Sequence, residues 1–371
     1  MKNKSLIILI LLCIVVKTTV QSQSNTITTA APFLLIVPDA RAGGMGDIGV
    51  ATSSDAYSLF HNPSKIAFNT NQTSIGVNYT PWLRNLVDDI FVGGISYVNR
   101  FSENAAWGVD FKYFSLGEIV LTDNQGQTIG TENPNELAIT GTYALKLSET
   151  FSMGVGLRFI NSNFKLNVQN PDIRAINSFS VDISGYYRST EENYGTFNGR
   201  YRIGFNIANI GPKVSYVPGN EDFIPTNLKL GAGFDFILDD YNVIGVNVET
   251  TKLLVPTPQL DGSERDTGFL SGIFTSFGDA PGGFSEEIKE FTYALGAEYL
   301  YNNAFALRTG YYHESETKGN RQYITMGGGF KARAFSIDLS YLVNSSNVNH
   351  PLENTLRFSL SFDLGEIYED Y

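Results

Sequence analysis

From about residue 73 onward, apolar and polar residues alternate along the chain, and the helical period of 3.6 is largely missing outside the connections. The final stretch shows this most clearly. Leu356, Phe358, Leu360, Phe362 and Leu364 interleave with Arg357, Ser359, Ser361 and Asp363. Phe151, Met153, Val155, Leu157 and Phe159 interleave with Ser152, Gly154, Gly156 and Arg158 in the same way, and Phe291, Tyr293, Leu295, Ala297, Tyr299 and Tyr301 form a third case. Successive side chains of a strand point to opposite faces, so each segment has one oily face and one small or polar face. About fourteen such segments are predicted: 73–80, 90–99, 105–114, 137–147, 151–162, 177–187, 201–208, 227–237, 241–250, 291–301, 304–312, 321–330, 334–343 and 354–364. Most have the length that a tilted strand needs to cross a bilayer.

The connections alternate between long and short. Asp239-Asp240 and Asn302-Asn303 read as two-residue turns, made of residues that tolerate the left-handed backbone of tight hairpins. Ser148-Glu149-Thr150 and Lys331-Ala332-Arg333 are also short, whereas 115–136, 209–226 and above all 251–290 are long. The connection 188–200 is of middle length and fits the alternation least well. Outer-membrane barrels have short periplasmic turns and long external loops, and a soluble sandwich has no reason to sort its connections this way. With both chain ends placed in the periplasm, every long connection falls outside the cell.

These patterns predict an all-β protein, a transmembrane antiparallel β-barrel of about fourteen strands in the outer membrane. In lipid every backbone N–H and C=O must find a protein partner, so the sheet has to close. Asp110, Lys112, Arg158, Asp182, Lys229, Asp235, Glu298, Arg308, Asp338 and Arg357 fall on the polar face of their segments, which makes that face a lumen with paired or solvated charge. The composition agrees: 42% hydrophobic, 17% charged, with 26 Phe, 20 Tyr and 36 Gly in 371 residues. The net charge of −12 excludes the basic footprint of a nucleic-acid binder.

Ahead of the strands, Met1-Lys2-Asn3-Lys4 and the apolar run Ser5–Val16 predict a secretory signal over 1–22. Cys13, the only cysteine, lies inside it; a lipid-acceptor role for Leu12-Cys13 is the minor alternative. Residues 23–72 predict an N-terminal segment tucked into the lumen as a plug, or a tail folded under the barrel. The barrel is assigned 73–364, and 365–371 a periplasmic tail.

Little chemistry is visible. His61, His313 and His350 lack metal-ligand spacing, and neither G-x-S-x-G nor a phosphate-binding loop occurs. His61 is read as a local hydrogen-bonding group beside Asn62-Pro63, or less readily as a base. No catalytic residue, metal or cofactor is assigned. The loop 251–290 is the most informative segment, since a connection of that length is usually functional. It carries Ile273, Phe274, Phe277 and Phe284 among polar residues, which predicts either a protein contact or a self-packed lid over the mouth. Ser285 is expected to cap a short helix there. Trp82 and Leu83 in the first external loop read as an interfacial anchor or a partner contact.

The run Asp39-Ala40-Arg41-Ala42-Gly43-Gly44-Met45-Gly46, followed by Asn62-Pro63, resembles the start of FadL-like barrels. Ser276-Phe277-Gly278-Asp279-Ala280-Pro281-Gly282-Gly283-Phe284-Ser285-Glu286-Glu287 resembles the PorV family of the type IX secretion system. So do Leu295–Tyr299, Arg308–Tyr311, Lys318–Arg321 and Pro351–Phe358. The resemblance implies that Arg41, Gly43, Gly44, Gly46, Asn62 and Pro63 belong to a plug. It implies that Asp279, Ala280 and Pro281 join Trp82, Leu83, Ile273, Phe274, Phe277 and Phe284 in contacting partners. The implied function is binding of secreted cargo by its C-terminal domain and its transfer to a sortase-containing attachment complex. The implied partners are a large translocon channel protein, cargo, the attachment complex and outer-membrane lipid, with no nucleic acid. A FadL-type channel for hydrophobic small molecules and an outer-membrane lipid deacylase remain as alternatives.

Overall fold

A computed structural model describes residues 26–82, 89–164, 173–259, 267–345 and 354–368; the readings of the leader, Cys13, Leu83 and His350 fall outside these residues. Fourteen long strands form the wall. They are β1 Asn71–Pro81, β2 Ile90–Arg100, β3 Ala105–Leu116, β4 Asn135–Lys146, β5 Phe151–Asn163, β6 Ile176–Arg188 and β7 Asn198–Ile210. The other seven are β8 Asn227–Ile237, β9 Asn242–Leu253, β10 Phe291–Tyr301, β11 Phe305–His313, β12 Gln322–Ala332, β13 Phe335–Asn344 and β14 Leu356–Ile367. Each pairs antiparallel with its neighbour in sequence, and β14 returns to pair with β1 through Thr73↔Leu364 to Tyr79↔Phe358, which closes the barrel. Among the described residues no helix is long and apolar enough to cross a membrane.

Each segment read from the alternation falls on one of these strands. Burial is inverted relative to a soluble protein. Val155, Leu157, Leu295, Leu307, Met326, Phe358 and Leu364 are exposed on the outer wall, where lipid replaces water. Their neighbours Ser152, Glu298, Arg308 and Arg357 are buried toward the lumen. The predicted paired interior is present: Arg158 meets Asp182 at 2.7 Å, Arg202 meets Asp235 at 2.6 Å, and Arg308 bridges Glu298 at 2.8 Å and Asp338 at 2.6 Å. At the Asn302-Asn303 turn both residues take positive φ, 53° and 48°.

Two boundaries differ from expectation. The tail expected at 365–371 begins later, because Gly365, at φ 85°, lets β14 pass through a bulge and pair Ile367 with Asn71. The middle-length connection 188–200 is an extended hairpin, in which Glu192–Asn193 continues the ladder onto β7.

The described part of the N-terminal segment begins at the opposite end of the barrel from the start of β1. Residues 26–36 lie at the external mouth, where Ala30, Ala31 and Phe33 pack with Phe114, Ile160 and Ile224. From there the chain descends through the lumen to reach β1 at the periplasmic rim. The apolar character of 30–36 explains this course: it buries against apolar strand ends that would otherwise face water.

The descending segment is seated by backbone contact and paired charge. Asp39 caps helix α1 (Ala40–Gly43) by accepting the Ala42 amide at 2.8 Å. Arg41 donates to Glu298 of β10 and to Asp55, and Asp47 pairs with Arg357 of β14. Gly46, at φ 74°, lies against the Tyr311 backbone and donates to Thr325 Oγ1 at 2.8 Å. A Cβ at Gly310 would overlap the Met45–Gly46 peptide, so this wall position has to be bare. Replacing Gly310 by valine should unseat the segment while the barrel still closes. The expected result is new protease cleavage between residues 26 and 70 with unchanged heat-modifiable gel mobility; a protected segment would refute the seating.

A candidate docking platform at the external mouth

In the long connection after β9, the described residues 254–259 and 267–290 are folded. They are clamped to the barrel rim by ionic side chains. Lys252, fully buried at the end of β9, is ion-paired with Glu287 and Glu290 at 2.7 Å each. Thr257 Oγ1 donates to Glu290 at 2.6 Å, and Lys318 from the neighbouring external loop reaches Glu286 at 2.6 Å and Glu290 at 3.0 Å. The aromatic faces of Phe291 and Phe277 stand 5.3 Å and 6.0 Å from the Lys252 ammonium. Burying such charges adds little net stability, but removing one partner strands the others at a cost of roughly 3–5 kcal/mol. The cluster therefore fixes where the loop sits.

Above this base stand two short helices, α2 (Phe269–Thr275) and α3 (Phe284–Glu287). They present an apolar outer surface: Phe274 is 78% exposed and Phe284 79%, with Leu270, Phe277 and Ile288 around them. The residues expected to contact partners divide here. Phe274, Phe277 and Phe284 face outward, and Ile273 and Pro281 are half-buried. Asp279 and Ala280 are buried inside the loop, with Asp279 accepting the Thr257 amide at 3.2 Å and the Ala280 amide donating to Glu287 at 3.3 Å. Both therefore lie inside the loop and not on its outer surface. Trp82 is half-buried with its ring edge-on to Phe114 at 6.5 Å, so it packs within the mouth.

The expected Ser285 cap is also corrected. Gly283, at φ 70°, is the N-cap residue of α3 and Ser285 is its second residue. Glu286 instead reaches back to accept the Gly282 amide at 2.6 Å, holding the turn from within. The clamp itself was missed in the sequence. Lys252 on the polar face of a strand end, and the Lys318–Arg321 motif, were visible there, but the convergence of three loop segments on Glu290 was not.

Below the platform, a cavity of about 470 Å³ lies between the wall and the descending segment, lined by Ile27, Leu35, Leu253, Lys229, Glu290 and Lys318 among others. A second, of about 600 Å³, opens toward the periplasmic turns. The N-terminal segment stands between them, with Gly46 and Asp47 on the upper one and Arg41 and Asp55 on the lower. A Cβ at Gly43 would overlap the Arg357 side chain, and one at Gly44 would press on the Gly327 backbone at 3.1 Å. Asn62 caps the 3₁₀ turn Pro63–Phe68, and its side-chain amide donates to Val50 O and Gly185 O at 2.8 Å and 3.1 Å. His61 is buried in the lumen with Nε2 2.5 Å from Asp39 Oδ2. This is the local hydrogen-bonding place, remote from the lipid-facing wall.

The family model for the type IX secretion system protein PorV matches residues 19–260. The chain belongs to this family. It is an outer-membrane subunit of the type IX secretion system, and its partners are in general components of that system. Comparison with curated proteins found no match. Among solved structures, the CymD monoaromatic hydrocarbon channel is similar with 15% identity and a TM-score of 0.50, over 90% of this chain and 99% of that one. The Pseudomonas putida toluene transporter TodX aligns with 12% identity and a TM-score of 0.49, over 89% and 99% of the two chains. A Pseudomonas aeruginosa FadL homologue aligns with 11% identity and a TM-score of 0.45, over 91% and 99%. At this identity the CymD likeness speaks for the barrel fold alone.

Two outcomes are expected for the PorV-family clamp. Lys252→Met should free residues 267–290 while leaving the wall intact, seen as faster amide exchange confined to that stretch; unchanged exchange would show that the buried ions do not hold the loop. Burial acts to raise the pKa of Glu286, but the Lys318 ammonium and the Gly282 amide outweigh it and hold the carboxyl below its ordinary 4.5. A depressed value means that this tether is complete above pH 4.5 and is lost as pH falls through the lowered pKa. A spin label at Ser285 should therefore stay immobile from neutral pH to about 5 and loosen only below that. Loosening already at pH 6 would contradict the assignment.

Proposed function

We propose that this PorV-family barrel is the carrier of secreted cargo: it takes cargo from a large outer-membrane translocon channel, holding the cargo's C-terminal domain outside the cell. It then passes the cargo to a sortase-containing attachment complex. One observation carries this reading, the apolar surface of α2 and α3 held rigidly on the external rim. Fixed aromatic side chains surrounded by polar groups are what a protein contact uses, because little entropy is lost when a preorganised patch binds. A pure lid would turn these rings inward. In this reading the N-terminal segment, expected over 23–72 and described from residue 26 to the start of β1, acts as a plug, and the lumen need carry nothing.

The second reading, a channel for hydrophobic small molecules, draws on the 470 Å³ cavity with Ile27, Leu35 and Leu253 in its lining. The similar solved structures are described as a monoaromatic hydrocarbon channel and a toluene transporter. Below the cavity the passage is occupied by the Arg41–Glu298 and Asp47–Arg357 pairs, which favours the carrier.

Phe274→Asp together with Phe284→Asp should abolish co-purification of cargo from detergent-solubilised outer membrane, with the barrel still heat-modifiable. Proteoliposomes of the unaltered protein should not accumulate labelled fatty acid. Full cargo recovery by the double variant, or rapid fatty-acid uptake, would turn the decision to the channel.

A further inference from the structure

The external connection between β3 and β4 carries a hairpin of its own, Ile119–Thr122 paired with Thr128–Glu132. It is a separate two-stranded sheet, and among the described residues no other strand pairs with either outer edge. Its base is fixed: the Glu118 amide donates to Asp89 at 2.6 Å, and Leu121 is buried. Its tip, Asp123–Gln127, is polar, and its two strands carry exposed apolar, β-branched side chains, with Val120 52% and Ile129 47% exposed.

Exposed strand edges pair readily with other chains, and natural proteins guard them with lysine, proline or a covering segment. From Gly117 to Glu132 there is no lysine, arginine or proline. The other external hairpin, Val214–Val217 with Asn220–Asp222, is covered: Val214 is buried, and the Tyr216 carbonyl accepts the Arg174 amide at 2.8 Å. Among the described residues the 119–132 hairpin therefore lacks these guards. Acidic residues mark its corners, Glu118, Asp123 and Glu132.

We propose that this hairpin takes an extended strand of the secreted cargo by β-augmentation. The strand would have an uncharged, β-branched middle and a basic residue at the end that meets Glu118. Main-chain pairing supplies affinity with little dependence on side chains, and the exposed Glu118 carboxylate at the base sets register. A carrier serving many cargoes gains from such recognition. This inference rests on the carrier reading and adds a second contact, three strands into the wall where α2 and α3 follow the ninth.

The test is amide exchange on the full-length barrel in detergent, with and without the purified C-terminal domain of a secreted protein. Amides of 119–131 should slow about tenfold when the domain is bound, as expected for added main-chain hydrogen bonds. Val120→Lys with Ile129→Lys should remove that slowing while protection of 269–288 persists. Protection of 269–288 with the hairpin unchanged overturns the strand-addition proposal and leaves the carrier reading standing. Protection at neither place overturns both.

Discussion

The constraint on which the rest of this molecule depends is that lipid offers no hydrogen bonds. Every amide and carbonyl of the fourteen strands has to be bonded within the wall, and only closure of β14 onto β1 removes the last open edge. Once the ring is closed, strand alternation fixes two environments. One face meets acyl chains and carries Val, Leu, Ile and aromatic residues. The other encloses a space in which Glu298, Arg308 and Asp338 are held only because they satisfy one another.

Enclosing charge in this way sets the terms for what fills the lumen. A segment entering it has to match the wall's charges and approach its backbone closely. The N-terminal segment does both, with Arg41 on Glu298, Asp47 on Arg357, and Met45–Gly46 on the bare strand at Gly310. It enters from the outside, since its apolar beginning covers the strand ends at the external mouth. The N-terminal segment and the wall are thereby one electrostatic unit. The external loops escape the lipid constraint, and this freedom lets 267–290 fold into short helices over a buried ion cluster and, among the described residues, leaves the 119–132 hairpin with no strand on its outer edges.

The strands were legible because period two is a local property: each of β1 to β14 could be read from its own ten residues. The tight turns were legible for the same reason, as at Asn302-Asn303. Much of the platform was not. Phe274 and Phe284 stood out as apolar residues in a polar loop, yet neighbouring Asp279 and Ala280, equally prominent, proved to be internal. Direction of a side chain in an irregular loop follows from contacts with residues far along the chain, such as Thr257 and Lys318, and has no period to betray it.

The sequence by itself determined the barrel, its strand number, the sorting of long connections to one end and the lumenal place of the charges, because alternation and turn chemistry act over a few residues. Only the tertiary structure decided which charges pair, that the N-terminal segment descends from the external mouth, and that Lys252 and Glu290 clamp the loop. Those outcomes depend on residues brought together across the closed ring, and closure is a property of the whole chain.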